Sequence, residues 1–197
     1  MNGILAQLSL DMTEVVRAVG HGLVRVENGR RGHGAGVVWE AGGLILTNAH
    51  VIRREDLMVE LPGGDRVRAR VAALDRGSDL ALLRVERNGL EPLARGDSRA
   101  LRTGDWVAAA GHPWGVQGGV TCGTVIGVGR GWEEMPRDRR ELILVSLHLR
   151  PGHSGGPLID AGGKLVGINT MAAGPDVGVA VPVHVAEAFA AKETARI

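Results

Sequence analysis

The chain has 197 residues, 44% of them apolar, with a formal net charge of +1, which is enough apolar matter for a core in one compact unit. Aromatics make up only 3% and tyrosine is absent, so Val, Leu, Ile and Ala must do the packing. Lys plus Arg (23) nearly balances Asp plus Glu (22), which removes the electrostatic case for a nucleic-acid partner, and the one cysteine, Cys122, excludes an intrachain disulfide.

Residues 1–20 have no basic start, and Asp11 and Glu14 interrupt their apolar positions. The segment reads neither as a signal peptide nor as a membrane span. Its three- and four-residue apolar spacing predicts a short helix. No membrane partner is expected. With one cysteine and no visible leader, the cytoplasm is the default expectation; a trimmed exported form would look the same.

From residue 22 the pattern changes to short runs rich in Val, Leu and Ile, punctuated by Gly, Asp or Pro. Strands are predicted over 23–27, 35–40, 43–48, 57–61, 66–74 and 79–85. A polar, turn-rich connector follows over 86–104. A second series is predicted over 106–111, 119–128, 141–146, 156–160, 164–170 and 178–182, and a helix over 183–192. The 31 glycines have no fixed period and lie between the runs, as turns require. No helices separate the strands, so a parallel α/β sheet is excluded. Six strands, a connector and six strands predict an all-β fold of two similar barrels. The expected units are a helical segment 1–20, a first barrel 21–95, and a second barrel with its C-terminal helix, 96–197. Together they form one domain.

Three stretches carry chemistry. In PGHSGGP, Ser154 stands among glycines. A serine hydroxyl needs a base to become a nucleophile, and attack on a carbonyl creates an oxyanion that needs fixed N–H donors. The N–H groups of Gly152 and Ser154 are the natural pair. In LTNAHVI, His50 follows an apolar strand; in GSDLALLRV, Asp79 opens one. Alone, His50 also suits a structural role and Asp79 a turn. Together, the chain order His50, Asp79, Ser154 is that of chymotrypsin-type proteases rather than of subtilisins or α/β-hydrolases. No histidine or cysteine pair has a familiar metal-ligand spacing, so neither metal nor cofactor is expected. The alternating segment around Cys122 predicts a small packed side chain there.

LTNAHVI, SDLALLRV and PGHSGGPLID…GKLVGINT, with GHGAGVVWEAGGLILTNAHV and AAGHPWGVQGGVTCGTVIGVGR, resemble the trypsin-like protease domain of the HtrA (Deg) family over about residues 11–192. The resemblance implies a chymotrypsin-like double six-stranded β-barrel with a short N-terminal and a C-terminal helix. It also implies endopeptidase activity on unfolded or extended protein segments. It assigns His50 as general base, Asp79 as its orienting partner, Ser154 as nucleophile, and Gly152 and Ser154 as the oxyanion hole. It points to a substrate pocket around His148, Leu149, Asn169 and Thr170. With no acidic residue at position 148, cleavage after Lys or Arg is not expected.

Against the family pattern, the chain leaves no room for a C-terminal PDZ domain, has no aromatic residue in 1–38, and carries His153 where Asn is usual. A monomer or weak oligomer is therefore expected, with a trimer as the alternative. Two other functions fit the same residues: an idle protease fold that binds peptides in a chaperone-like way, and an esterase. The absence of a GxSxG elbow argues against the esterase. The charged segment 129–142 is expected to form an exposed loop.

Overall fold

The computed structural model describes residues 3–27, 33–54, 56–133 and 140–195. Helix α1 (Ile4–Gly20) leads into strands β1 (Leu23–Glu27), β2 (His33–Glu40), β3 (Leu44–Thr47), β4 (Leu57–Glu60), β5 (Arg66–Asp75) and β6 (Leu80–Val85). After the connector come β7 (Trp106–Gly111), β8 (Gly119–Gly129), β9 (Leu142–Ser146), β10 (Pro157–Asp160), β11 (Leu165–Gly174) and β12 (Val177–Pro182), then helix α2 (Val183–Thr194).

The strands close into two antiparallel barrels, ordered β1-β2-β3-β6-β5-β4 and, read around the ring in the same sense, β7-β8-β9-β12-β11-β10. The two halves thus share one topology. This is the expected chymotrypsin-like double barrel. Strand β2 begins two residues earlier than predicted, and β11 runs four residues further, to Gly174.

Several strands are buried on both faces, which is why they read as continuous apolar runs. Along β6, Ala81, Leu83 and Val85 point into the first barrel. Leu80 and Leu82 point the other way, into a core shared with the second barrel and α2. Strand β3 divides likewise, with Ile45 inward and Leu44 and Leu46 in the shared core. In β7, Val107 and Ala109 fill the second barrel while Ala108 and Ala110 join the shared core. Side chains alternate across a strand, so each of these strands ties a barrel to the seam between barrels. Truncating a fully buried member such as Leu82 to Ala would cost about 2–5 kcal/mol. Strand β5, RVRARVAALD, has a wet face instead, with most of its residues exposed or half-buried.

Trp132 folds back over the second barrel, against Gly127 and beside Leu142, Leu144 and Val179. Residues 134–139 of the charged loop predicted over 129–142 lie outside the described residues. Cys122 departs from expectation: it is exposed, because it falls on the outward-facing positions of β8, opposite Ala108. No helix is long and apolar enough to cross a membrane among the described residues.

Candidate active site

The rigid strand β3 delivers Asn48 and a single 3-10 turn, Ala49–Val51, that carries His50. Asp79 sits where the β5–β6 turn enters β6, in a left-handed conformation (φ 58°) that Asp tolerates better than most residues. Its backbone carbonyl accepts the Asn48 side-chain amide at 2.9 Å and the Ala49 N–H at 3.1 Å. Those bonds fix two chain segments against each other before either side chain acts. The Asp79 carboxylate then accepts His50 Nδ1–H at 2.8 Å on Oδ2 and 3.1 Å on Oδ1, with the His50 backbone N–H on Oδ1 at 3.0 Å. From the second barrel, the Thr170 hydroxyl donates to Oδ2 at 2.5 Å.

Burial works against the charged form of Asp79, which is only 8% exposed. The bonds from His50 and Thr170 more than offset it, and the carboxyl is held below its usual range. The Arg140 guanidinium lies 4.0 Å from Oδ2. A carboxylate accepting Nδ1–H leaves Nε2 as the bare nitrogen of the neutral ring.

Ser154 stands at the end of a tight turn. The His153 N–H donates to the Arg150 carbonyl at 3.0 Å, with Pro151 and Gly152 at the centre and Gly152 at φ 106°. This is a type II β-turn, with proline and glycine in the positions that turn favours. A Cβ at Gly152 would also meet the His112 carbonyl. The Ser154 carbonyl accepts Ala35 N–H at 2.8 Å, which ties the loop to β2 of the first barrel. The Ser154 hydroxyl donates to the Thr170 carbonyl at 3.0 Å. Among the described residues, the N–H groups of Gly152 and Ser154 have no acceptor.

A cleft of about 480 Å³ brings His50, Gly152 and Ser154 together, walled by Leu149, Thr170, Met171 and Ala172. His33, Arg53 and Arg150 also reach it. Of the predicted pocket residues, Leu149 and Thr170 line the cleft. His148 does not: it lies between the buried Leu147 and Leu149, so its side chain points outward, 3.4 Å from Asp176. Asn169 does not line it either. It is fully buried and donates to the Pro157 carbonyl at 2.8 Å, pinning β11 to β10. The strand predicted over 164–170 stops short of Met171 and Ala172, which β11 carries into the cleft wall. His33 and Arg53 carry no sequence signal beyond their nearness to GAGV and to His50.

The family model of the trypsin-like peptidase domain matches residues 34–168. The probable periplasmic serine endoprotease DegP-like of Halomonas elongata is 37% identical over 164 residues, covering 80% of this chain and 34% of that protein. The mitochondrial serine protease HTRA2 of Drosophila virilis is 35% identical over 169 residues, covering 83% of this chain and 40% of that protein. The chain thus spans well under half the length of these curated relatives. Among solved structures, the HtrA-type protease AlgW with a decapeptide superposes with a TM-score of 0.83 at 26% identity, covering 92% of this chain and 67% of that one. A serine-to-alanine variant of AlgW with a tripeptide gives 0.81 at 30% identity, covering 88% and 60%.

The cytoplasmic expectation does not stand, since these relatives are named as periplasmic and mitochondrial. The single cysteine misled. Two barrels that close over aliphatic cores need no disulfide, so cysteine usage says nothing here about compartment. The fold, the matched span and the likeness to both sequences and structures agree: the chain belongs to the trypsin-like peptidase domain family and is of the HtrA type.

Proposed function

We propose that this chain is a serine endopeptidase acting on protein or peptide segments that can lie extended in the cleft. His50 Nε2 takes the Ser154 proton as Oγ attacks the scissile carbonyl. The Oγ–carbon bond forms, and the carbonyl electron pair moves to oxygen. Asp79 holds the ring tautomer and stabilises the imidazolium. The oxyanion is received by the Gly152 and Ser154 N–H groups. His50 then returns the proton to the leaving amine, which leaves an acyl-enzyme on Ser154 that water hydrolyses by the same route. The Ser154 hydroxyl, which donates to the Thr170 carbonyl at 3.0 Å, turns toward His50 for this step.

The observation that carries this reading is the Asp79 carboxylate, held by His50 at 2.8 Å and by Thr170 from the other barrel. A buried aspartate this fully engaged is an orienting group rather than a turn residue. The units 21–95 and 96–197 then act as one protease domain, with helical segment 1–20 beside them, since the proposed residues come from both barrels. The test is fluorophosphonate labelling with casein digestion. Labelling of Ser154 with cleavage is expected, and Ser154→Ala should lower turnover on the order of 10⁶-fold without loss of fold. Absence of labelling in a protein that still binds unfolded chains would replace this reading with the idle, peptide-binding one; labelling with hydrolysis of small esters alone would replace it with the esterase. The chain is proposed to be a monomer or weak oligomer. A stable trimer at micromolar concentration by light scattering would overturn that, and would implicate Ile4, Leu8 and Leu10, which α1 leaves exposed.

A further inference from the structure

His153 is an imidazole with almost no solvent contact, 1% exposed, placed immediately before the proposed nucleophile. Its ring folds back inside the turn that its own backbone closes. The backbone N–H donates to the Arg150 carbonyl at 3.0 Å, and ring Nδ1 lies 3.1 Å from the Arg150 N–H and 3.2 Å from the Arg150 carbonyl. Which of the two it serves is decided by accounting. The Arg150 carbonyl already has a donor in the His153 N–H. The half-buried Arg150 N–H has no other acceptor among the described residues, and leaving it unpaired would waste a bond. Nδ1 is then the acceptor, and the proton of the neutral ring sits on Nε2, which is buried without a partner among the described residues in either tautomer and so does not weigh in the choice.

The turn so closed sets the direction of one oxyanion donor. In a β-turn the central peptide can face either way. Type II, with Pro151 and Gly152 at its centre, fixes the Gly152 N–H on one side, and rotation of that peptide would turn it to the other. The opposite edge of the turn is held by the His112 N–H, which donates to the Gly152 carbonyl at 2.8 Å.

We propose that His153 is a positioning residue for the oxyanion hole, acting only as the neutral Nε2–H tautomer, whose bare Nδ1 holds the Arg150 N–H and so keeps the turn Arg150–His153 in the form that aims the Gly152 N–H at the substrate carbonyl. The proposal rests on the endopeptidase reading. Protonation of Nδ1 converts that acceptor to a donor: the Arg150 N–H loses its partner, and the new N–H can turn only to the Arg150 carbonyl, 3.2 Å away. The charged and titratable groups that act on the ring are the Arg150 guanidinium and His148, both on its own segment, while from β7's end it is the His112 backbone that lies against Gly152. Burial first, then Arg150 and His148, push the His153 imidazole below its usual range, against the Arg150 carbonyl. His112 is likewise pushed down by burial. The turn is therefore intact at neutral pH and opens only in acid.

Two measurements on the whole chain test this. The first does not depend on activity: ¹⁵N shifts of the His153 ring at neutral pH should show a bare Nδ1 and a protonated Nε2. The reverse tautomer would overturn the proposal. The second compares pH profiles of kcat/KM. Both His50 and His153 must be neutral, so the parent should approach a limiting acid slope of about two. His153→Asn places a carbonyl oxygen where Nδ1 stands. It should keep turnover within a few-fold and reduce the slope to about one. His153→Leu should lose about ten- to a hundred-fold in kcat, with KM little changed. If His153→Leu does not fold, the Asn comparison decides alone. Superimposable profiles for parent and His153→Asn would sink the proposal. A parent with the expected tautomer but no labelling by fluorophosphonate would instead sink the endopeptidase reading.

Discussion

The Thr170 hydroxyl donates to Asp79 Oδ2 at 2.5 Å across 91 positions of the chain, from β11 of the second barrel to the start of β6 in the first. This bond, with the His50 contacts, is what makes the proposed acid–base pair a product of both barrels. Thr170→Val keeps the shape and removes the donor. A hydrogen bond to a charged group contributes about 1.5–3 kcal/mol, so kcat should fall by about ten- to a hundred-fold. Thr170→Ser should restore most of it. A Val variant with parental kcat would show that His50 and Asp79 do not need the second barrel's help.

The depressed ionisation of Asp79 has a sign that can be checked. Its carboxyl is charged in the fold down to a pH below its unfolded value of about 3.9. Its contribution to stability is thus full above that value and is lost as pH falls through the lower folded one. Asp79 therefore titrates below about 3.9, so a loss of activity centred between neutrality and about pH 5 does not come from its protonation. Carbonyl ¹³C titration of Asp79 should show no inflection in that window; an inflection near pH 5 would contradict the geometry.

Gly152→Ala meets two obstacles. The backbone stands at φ 106°, where a side chain costs about 1–3 kcal/mol, and the new Cβ runs into the His112 carbonyl. The turn must shift, and the proposed oxyanion donor with it. The expected result is a modest fall in thermal midpoint with a loss of about 10²–10³ in kcat. An alanine variant that melts lower yet turns over at the parent rate would show that the Gly152 N–H is not used.

Much of this architecture was legible because both-face burial leaves an unmistakable trace. Strands such as LILT and LALLRV are apolar on both faces, Thr47 and Arg84 apart, since one side fills a barrel and the other the seam. The errors have equally local causes. His148 was expected in the pocket, although its neighbours Leu147 and Leu149 already required it to face the other way. Asn169 and Thr170 are both expected in the pocket, yet adjacent strand residues point to opposite sides, and of the two Thr170 reaches the cleft. The Thr170–Asp79 and His153–Arg150 bonds had no visible signature, because side-chain hydrogen bonds leave no periodicity in a sequence.

Substrate preference follows from the walls of the cleft. Leu149, Met171 and Ala172 present apolar surface beside Ser154, and Arg53 and Arg150 bring positive charge. The described residues lining the cleft include no carboxylate, and His148, at the position where an acidic residue would select Lys or Arg, points away toward Asp176. A basic side chain entering here would lose its water and meet two arginines rather than a carboxylate among the described lining residues. An aliphatic side chain would meet only apolar contacts, and each methylene it buries contributes about 0.8 kcal/mol. Peptides with Val, Leu or Ala before the scissile bond should therefore be cleaved with higher kcat/KM than matched Lys or Arg peptides, by at least about tenfold, the factor that corresponds to 1.4 kcal/mol. Leu149→Asp should narrow that gap by supplying the missing charge at the wall. A parent enzyme that cuts preferentially after Lys or Arg would mean that the residue before the scissile bond does not sit against Leu149.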